Sequence, residues 1–351
     1  PGFTVQTGSI TGKHINITAT GAGGQIKTLG LTANGSLHSC IGECGAGGYI
    51  KAKIIQPAPN SNASINVTGP VKSTLSYVSM SGGVGAVNVI GAVDAGKSIK
   101  MSATTINVAA LTAASAVSLA GVQSALTPTK ITASGLVKGQ SVKATISLTN
   151  TATQSGSIHL AGGASATGLG VGSMVIRDSA SAAVKTKINT GHLQTALRQI
   201  SLNQKGGNGS VSVAGGISAG SSGVNINAND TGLGGNVIIG GNVNGGRVRI
   251  TTHGIGGADI NVTGGIHTTA CCSLSLSANA GPGLAGGNVT VAGPMTTTSG
   301  RIRIHTSGGG SAGGRINVGA MSARSSVSIN ANYHGTRSEE HTSELQSRHN
   351  L

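Results

Sequence analysis

The stretch Val211-Ser-Val213-Ala-Gly215 decides the fold, because it returns four times toward the carboxyl end of the chain. Each copy has two branched apolar residues separated by a single residue, and it ends in a glycine-containing turn. The later copies are Val237-Ile-Ile239-Gly-Gly241, Ile260-Asn-Val262-Thr-Gly264, Val289-Thr-Val291-Ala-Gly293 and Ile316-Asn-Val318-Gly319. Their first residues are 26, 23, 29 and 27 positions apart. A unit of this length that returns at nearly constant spacing is typical of a solenoid.

Two further apolar positions fall between successive copies. The first is a single bulky residue: Ile217, Val243, Ile266, Met295 and Met321. The second is another spaced pair: Val224/Ile226, Val248/Ile250, Leu274/Leu276, Ile302/Ile304 and Val327/Ile329. Side chains alternate across a strand, so both members of a pair lie on one face, and that face is buried only when the next unit stacks on it. We therefore predict an all-β fold, a right-handed parallel β-helix (β-solenoid) with about 23–29 residues per rung.

The composition agrees with a solenoid. Gly accounts for 60 of 351 residues, yet Pro is only 7 and no triplet period is present, which excludes collagen. Apolar residues make up 37% of the chain, too many for a disordered linker. Aromatic residues are limited to one Phe and three Tyr, which fits a narrow interior filled by small branched side chains.

Composition divides the chain into three segments. Residues 1–104 carry the pattern less regularly, residues 105–208 are rich in Ala, Thr and Ser, and residues 209–332 hold the regular repeats. One stretch departs from the strand pattern, because Leu193, Ala196, Leu197 and Ile200 follow Asn189-Thr-Gly-His192 at helical spacing. We predict one short helix near 190–200. We expect a single elongated domain.

The last fifteen residues differ abruptly from the rest. Residues 337–351 read RSEEHTSELQSRHNL and hold three of the four Glu residues in the chain. The string resembles a translated sequencing adapter, so we expect a non-native, disordered tail and exclude it from fold reasoning. Residues 1–336 then carry 21 Lys and Arg against five acids, a net charge of +16.

This basic balance favours anionic partners. Such partners include nucleic acid, acidic polysaccharide and lipopolysaccharide, although the lack of aromatic stacking platforms argues against single-stranded nucleic acid. No apolar run reaches the ~20 residues that a transmembrane helix needs.

The repeats also resemble a known family. The unit Gly287-Asn-Val-Thr-Val-Ala-Gly-Pro-Met-Thr-Thr-Thr-Ser-Gly-Arg-Ile-Arg-Ile304 is similar to the repeats of filamentous-haemagglutinin-type adhesins, and Ile188–Leu197 is similar to a segment common among them. These are giant bacterial exoproteins exported by two-partner secretion. The resemblance covers most of residues 60–332 and implies a β-helix, a secreted or cell-surface location, a secretion-partner outer-membrane protein, and roles in adhesion, aggregation or biofilm. The family's secretion domain is not recognisable here.

Carboxylates weigh against catalysis. Polysaccharide-cleaving β-helix enzymes need two or three acids close together, and residues 1–336 contain only Glu43, Asp94, Asp178, Asp230 and Asp259. Calcium-binding nonapeptide repeats need an Asp in every copy, which the glycine-rich turns here lack. We predict no enzyme activity, no cofactor and no metal site.

Four cysteines allow several interpretations. Cys40 and Cys44 enclose a short loop that suits a disulfide in a secreted protein. The same two thiols with His38 would offer a metal three ligands, but a fourth is not evident. The adjacent Cys271 and Cys272 would need a distorted turn to form a disulfide with each other, so we expect two unpaired thiols.

Arginines suggest a binding surface. Arg247/Arg249 and Arg301/Arg303 occupy the same outward positions two units apart, with Ser273/Ser275 between them, and Arg315 follows nearby in sequence. Stacked rungs place such residues about 10 Å apart, a spacing that suits a polyanion such as a sulfated glycan. The alternative is a solvated charge pattern that protects the sheet from lateral pairing.

Three functional hypotheses follow. The first is a non-catalytic structural or adhesive shaft of a large secreted bacterial surface protein, with glycans or proteins of host or neighbouring cells as partners. The second is a polyanion-binding β-helix that uses the arginine ladder. The third is a polysaccharide-active enzyme, which the small number of carboxylates disfavours.

Overall fold

The fold is described by a computed structural model of the chain. It covers residues 3–20, 23–34, 48–55, 63–148, 154–167, 173–180, 184–229, 235–254, 258–269, 273–281, 286–308 and 314–333. Within these ranges all regular secondary structure is β-strand, and every strand pairing is parallel. The predicted all-β class and parallel β-solenoid architecture are therefore confirmed.

The strands lie on three faces that run the length of the molecule. First-face strands are β5 (Ser64–Val67), β12 (Thr129–Ala133), β15 (Gly156–Leu160), β18 (Lys185–Thr190), β21 (Gly207–Val213), β23 (Asn236–Ile239), β25 (Ile260–Val262), β28 (Val289–Val291) and β31 (Ile316–Val318). Second-face strands are β6 (Val71–Ser73), β8 (Val93–Ala95), β10 (Leu111–Ala113), β13 (Val137–Gly139), β16 (Ala164–Ala166), β19 (Leu193–Thr195), β26 (Ile266–Thr268), β29 (Met295–Thr297) and β32 (Met321–Ala323). Third-face strands are β2 (Ile15–Thr20), β4 (Ile50–Ile55), β11 (Ala116–Gly121), β14 (Ser141–Ser147), β17 (Met174–Ser179), β20 (Ile200–Lys205), β27 (Leu274–Ala280), β30 (Ile302–Gly308) and β33 (Val327–Tyr333).

Six longer strands contribute to two faces each. The first and second faces share β1 (Thr4–Gly12) and β3 (Gln25–Ala33), and the third and first share β7 (Val78–Val89) and β9 (Ile99–Val108). The second and third share β22 (Ile217–Asn229) and β24 (Val243–Gly254).

The repeated apolar residues stack into buried columns, as predicted. On the first face Val211 pairs with Val237, which pairs with Ile260, and the column continues through Val289 to Ile316. The first four are at most 1% exposed, and Ile316 packs against the core from the last rung. The single residues and the second pairs stack in the same way on the second and third faces.

Rung length varies more than the regular repeats suggest. Between 209 and 332 the first-face partners keep the predicted 23–29 residues per rung. Nearer the amino end the interval falls to 19 residues between Val87 and Ile106 and rises to 39 between Ile26 and Ile65. The columns stay in register, because the differences in length are taken up between strands and at register shifts inside the long strands β7 and β22.

Glycines at the corners after the first-face strands of the repeated motif permit close stacking. A Cβ on Gly293 would lie 2.5 Å from the backbone nitrogen of Gly265 in the rung below, and one on Gly241 would lie 2.8 Å from that of Gly216. Any side chain here would push successive rungs apart. This explains the glycine that ends each copy of the motif.

The predicted helix near 190–200 is wrong. Asn189 and Thr190 lie in β18, Leu193 begins β19 and Ile200 begins β20. Leu193 points inward from the second face and Ile200 points inward from the third, seven positions later. Seven positions are also about two helical turns, so the spacing of these residues looked helical. The Thr195 hydroxyl closes the corner between β19 and β20 by donating to the Arg198 carbonyl.

The compositional segments are continuous in structure. The division at 104/105 falls inside β9 and that at 208/209 falls inside β21, and both strands pair with neighbours on both sides. The predicted non-native tail at 337–351 lies outside the described residues. The described part of the chain contains no helix long and apolar enough to cross a membrane.

Candidate polyanion-binding surface

The third face presents the predicted arginines to solvent. In β24 and β30 the apolar residues Val248, Ile250, Ile302 and Ile304 point inward and are buried. Strand alternation therefore turns the intervening arginines outward, and all four are exposed: Arg247, Arg249, Arg301 and Arg303.

The register places the arginines two rungs apart. Arg249 pairs with Ser275, and Ser275 pairs with Arg303. Rungs stack at ~4.8 Å, so the backbones of Arg249 and Arg303 lie about 10 Å apart, as the sequence predicts. The small serine between them leaves space for a ligand group.

An open groove of about 490 Å³ lies between these arginines. Its floor is hydroxyl and amide rather than apolar, so it suits a hydrated, hydrogen-bonding ligand. The lining residues are Arg249, Thr251, Ser275, Ser277, Asn279, Arg303, His305, Ser328 and Asn330. A second groove of about 340 Å³ continues toward the amino end, and Arg247 and Arg249 line it.

Arg315 does not belong to this surface. It directly precedes the first-face strand β31, and its N–H donates to Asn288 Oδ1 at 2.9 Å. It lines a separate groove of about 360 Å³ that also contains Asp259. Its proximity in sequence to Arg301 and Arg303 was misleading, because β30 belongs to the third face and β31 to the first.

The carboxylates in the described residues lie apart from one another. Asp94 is exposed on the second face, and Asp178 is buried inside the third face. Asp259 directly precedes the first-face strand β25. Asp259 has a structural role: its Oδ1 accepts from the Asn288 N–H at 2.8 Å. Glu43 and Asp230 lie outside the described residues. Within the described ranges no three His, Cys, Asp or Glu side chains group closely enough to hold a metal ion.

Asp178 is a buried carboxylate whose position was not predicted from the sequence. It is fully buried between Ile146 and Gln204 of the adjacent rungs. Its Oδ2 accepts from the Lys187 N–H at 3.2 Å, while Oδ1 has no hydrogen-bond partner. Burial raises the pKa of this carboxyl from 3.8 to about 7, against the lowering effect of the Lys187 N–H. The pattern Met174-x-Ile176-x-Asp178 could have revealed it.

Two side-chain ladders on the outside were also missed. Asn88 Nδ2 donates to Asn66 Oδ1, and Asn107 Nδ2 donates to Asn88 Oδ1, both at 2.8 Å. At the start of the third-face strands, the rings of Tyr49 and Tyr77 stack with centroids 5.2 Å apart, and His14 continues the stack at 4.8 Å. The rings face one another along the rod, so they do not form open platforms for bases.

The predicted cysteine sites cannot be placed. Cys40 and Cys44, the residues of the predicted disulfide, lie outside the described residues together with His38, as do Cys271 and Cys272.

Comparison of the chain with protein-family models, with curated proteins and with solved structures found no match.

Proposed function

We propose that this chain is a segment of the shaft of a large secreted bacterial surface protein, with a structural and adhesive role and no catalytic one. The observation that carries the proposal is the unbroken series of parallel pairings on all three faces, from β1 to β33. Each rung pairs only with the rungs before and after it, so the pairings extend along a single axis.

The packing of the interior supports a structural role. Most inward positions of the three faces are filled by apolar side chains, and many of these are fully buried. Close packing of this kind makes the rod stiff and leaves few backbone groups open to proteases. The large variation in rung length allows surface loops to differ without disturbing the columns.

The likeness of Gly287–Ile304 to filamentous-haemagglutinin-type repeats supports the same proposal. It supports a location at the cell surface or in the medium, export with an outer-membrane partner, and a role in adhesion, aggregation or biofilm formation. Its partners would be glycans or proteins on host or neighbouring cells. We do not propose a polysaccharide-cleaving enzyme, since the described carboxylates lie on different faces.

Polyanion binding is a second function, favoured by the groove between Arg249 and Arg303. Two exposed guanidinium groups on a polar floor suit sulfate or carboxylate groups. The two functions are compatible, because a shaft also presents binding surfaces along its length.

Deletion of single rungs tests the shaft proposal. Removing residues 87–105, 237–259 or 289–315 joins positions that are equivalent in register, so each variant should retain cooperative unfolding. Beads coated with each variant are then tested for attachment to bacterial and epithelial cells.

A shaft predicts that all three variants attach as well as the parent chain does. If a folded variant loses attachment completely, one local site carries the attachment, and an adhesive role spread along the shaft is wrong. If even the parent chain does not attach, the adhesive part of the proposal is wrong.

A further inference from the structure

The basic character of the third face extends far beyond the arginines. Each third-face strand has a first inward residue, and the residue directly after it points outward. These outward residues pair from rung to rung and form one row along the rod. The register partners in this row, called the cation row below, are Asn16, Lys51, Ser79, Lys100, Ser118, Lys143, Val175, Ser201, Asn225, Arg249, Ser275, Arg303 and Ser328.

Positive charges in the cation row fall on alternate rungs, except that Ser201 stands where the alternation would place one. Lys51, Lys100 and Lys143 are each separated by one serine, and Arg249 and Arg303 repeat the arrangement. Four rung steps, through Val175, Ser201 and Asn225, join Lys143 to Arg249, so the alternation keeps the same phase across the gap. All five cations are exposed.

No described acid points outward from this face. Asp178 is the only described carboxylate in a third-face strand, and it points inward. The next outward row is also polar or basic in most rungs, and includes Lys53, Arg177 and His305. The cation row therefore faces solvent without neutralising carboxylates among the described residues.

We propose that the cation row is a binding track for a linear acidic polysaccharide, extended along the rod, that carries one anionic group per disaccharide. This inference rests on the polyanion-binding function proposed above and extends it from one groove to the whole third face. Two rungs span about 10 Å, close to the length of one disaccharide in an extended chain.

The spacing selects among polyanions. Duplex DNA carries a charge every ~1.7 Å along its axis, and each strand one every ~3.4 Å, much denser than the ~10 Å period of the row. A polysaccharide with one carboxylate or sulfate per disaccharide matches one anion to each cation. The serines between the cations leave room for the uncharged sugar and offer hydroxyl groups to it.

Paired charge variants provide the first test. Lys100→Ser/Lys143→Ser removes two of the three cations in the row's amino half, and Arg249→Ser/Arg303→Ser removes both cations in its carboxyl half. Lys27→Ser/Lys130→Ser makes the same charge change at exposed first-face positions and is the matched control. Hyaluronan, with one carboxylate per disaccharide, is the probe, and polygalacturonate, with one per sugar, is the comparison polymer. Each third-face pair should weaken hyaluronan binding roughly tenfold, and the control pair should change it less than about twofold.

A register variant provides the sharper test. Deleting residues 211–236 removes one rung and no Lys or Arg, but it reduces the separation of Lys143 and Arg249 from four rung steps to three. Long hyaluronan should then bind several-fold more weakly, while oligosaccharides short enough to contact one half should bind as before. Thermal unfolding confirms that the variant folds.

The outcomes separate the two proposals. If only the arginine pair matters, binding is local to the groove: the track is wrong, but polyanion binding stands. Equal loss in the control pair, an unchanged affinity of the register variant, or polygalacturonate bound as tightly as hyaluronan would each overturn the track in favour of general electrostatic attraction. If no polyanion binds the parent chain, both proposals fail.

Discussion

Two parts of the interior solve the same packing problem differently. Around Val237 and Ile260 the inward positions of the first face are wholly apolar, and each side chain stacks on a similar one. Around Asp178 and Gln204 the third face places two polar side chains inside, although the neighbouring inward positions remain apolar. The solenoid thus tolerates buried polar groups where a neighbouring strand supplies partners.

Those partners are incomplete. Gln204 Nε2 donates to Thr186 Oγ1 at 2.8 Å, and Asp178 Oδ2 accepts one backbone N–H. Gln204 Oε1 and Asp178 Oδ1 remain without a donor. Protonation of Asp178 would remove its buried negative charge. It would also add one O–H donor beside these two acceptors, which otherwise have no partner. Stability in this region should therefore depend on pH, and stability in the apolar region should not.

The largest effect is expected when a charge enters the apolar column. Ile239 is fully buried between Val213 and Val262, so Ile239→Asp places a carboxylate where no donor is available. We expect a loss of more than about 4 kcal/mol in the free energy of unfolding, measured by urea titration. Ile238→Asp is the control: Ile238 points outward and is 46% exposed, and its substitution should cost less than about 1 kcal/mol. Similar losses in both variants would show that the column is not the stabilising element.

The next effect is the pH dependence of the region around Asp178. Its pKa of about 7 in the folded protein exceeds the ordinary 3.8, so the folded state holds the proton more tightly than the unfolded state does. The stabilisation that the protonated Asp178 gives the folded state is fully present below pH 4. It is lost as the pH rises from about 4 through 7, by about 1.4 kcal/mol per pH unit. The difference in unfolding free energy between the wild type and Asp178→Asn, followed from pH 4 to pH 8, measures it.

Asp94→Asn serves as the control, because Asp94 is exposed on the second face. A flat difference between the wild type and Asp178→Asn, or an equal slope for Asp94→Asn, would contradict the assignment.

The smallest effect concerns the hydrogen bond between Gln204 and Thr186. Thr186→Val leaves Gln204 Nε2 buried without its acceptor and should cost about 1–3 kcal/mol. Adding Gln204→Met removes the stranded amide, so the double variant should recover most of that loss. A double-mutant cycle from urea unfolding gives the coupling energy. Additive losses would show that the bond does not couple the two strands.

Much of the fold could be predicted because the interior repeats. The pair Val289/Val291 specifies two inward positions, and the glycine at 293 specifies a corner where no Cβ fits. Such constraints are local and recur, so the sequence shows them directly. The helix near 190–200 failed for the same reason, since local spacing alone cannot distinguish two strands joined by a corner from two helical turns.

The candidate site was predictable in part. The alternation around Val248 and Ile250 shows that Arg247 and Arg249 point outward, and the repeat length brings Arg303 close to them. The lysines of the cation row were missed because they lie in the irregular rungs, where intervals of 19 to 39 residues hide the register. Asp178 was missed because a single inward polar residue does not repeat. It is buried between Ile146 and Gln204, which are distant in sequence and adjacent in space.

The position of Asp178 has a mechanical consequence. Its strand lies midway along the third face, with six third-face strand segments before it and six after it. Because each rung is held only by its neighbours, the rod under tension is as strong as its weakest junction. Ionisation of Asp178 near neutral pH weakens the junctions on either side of it. A pulled rod should therefore yield first at the rungs next to Asp178, and the parts on either side should each keep their own apolar columns.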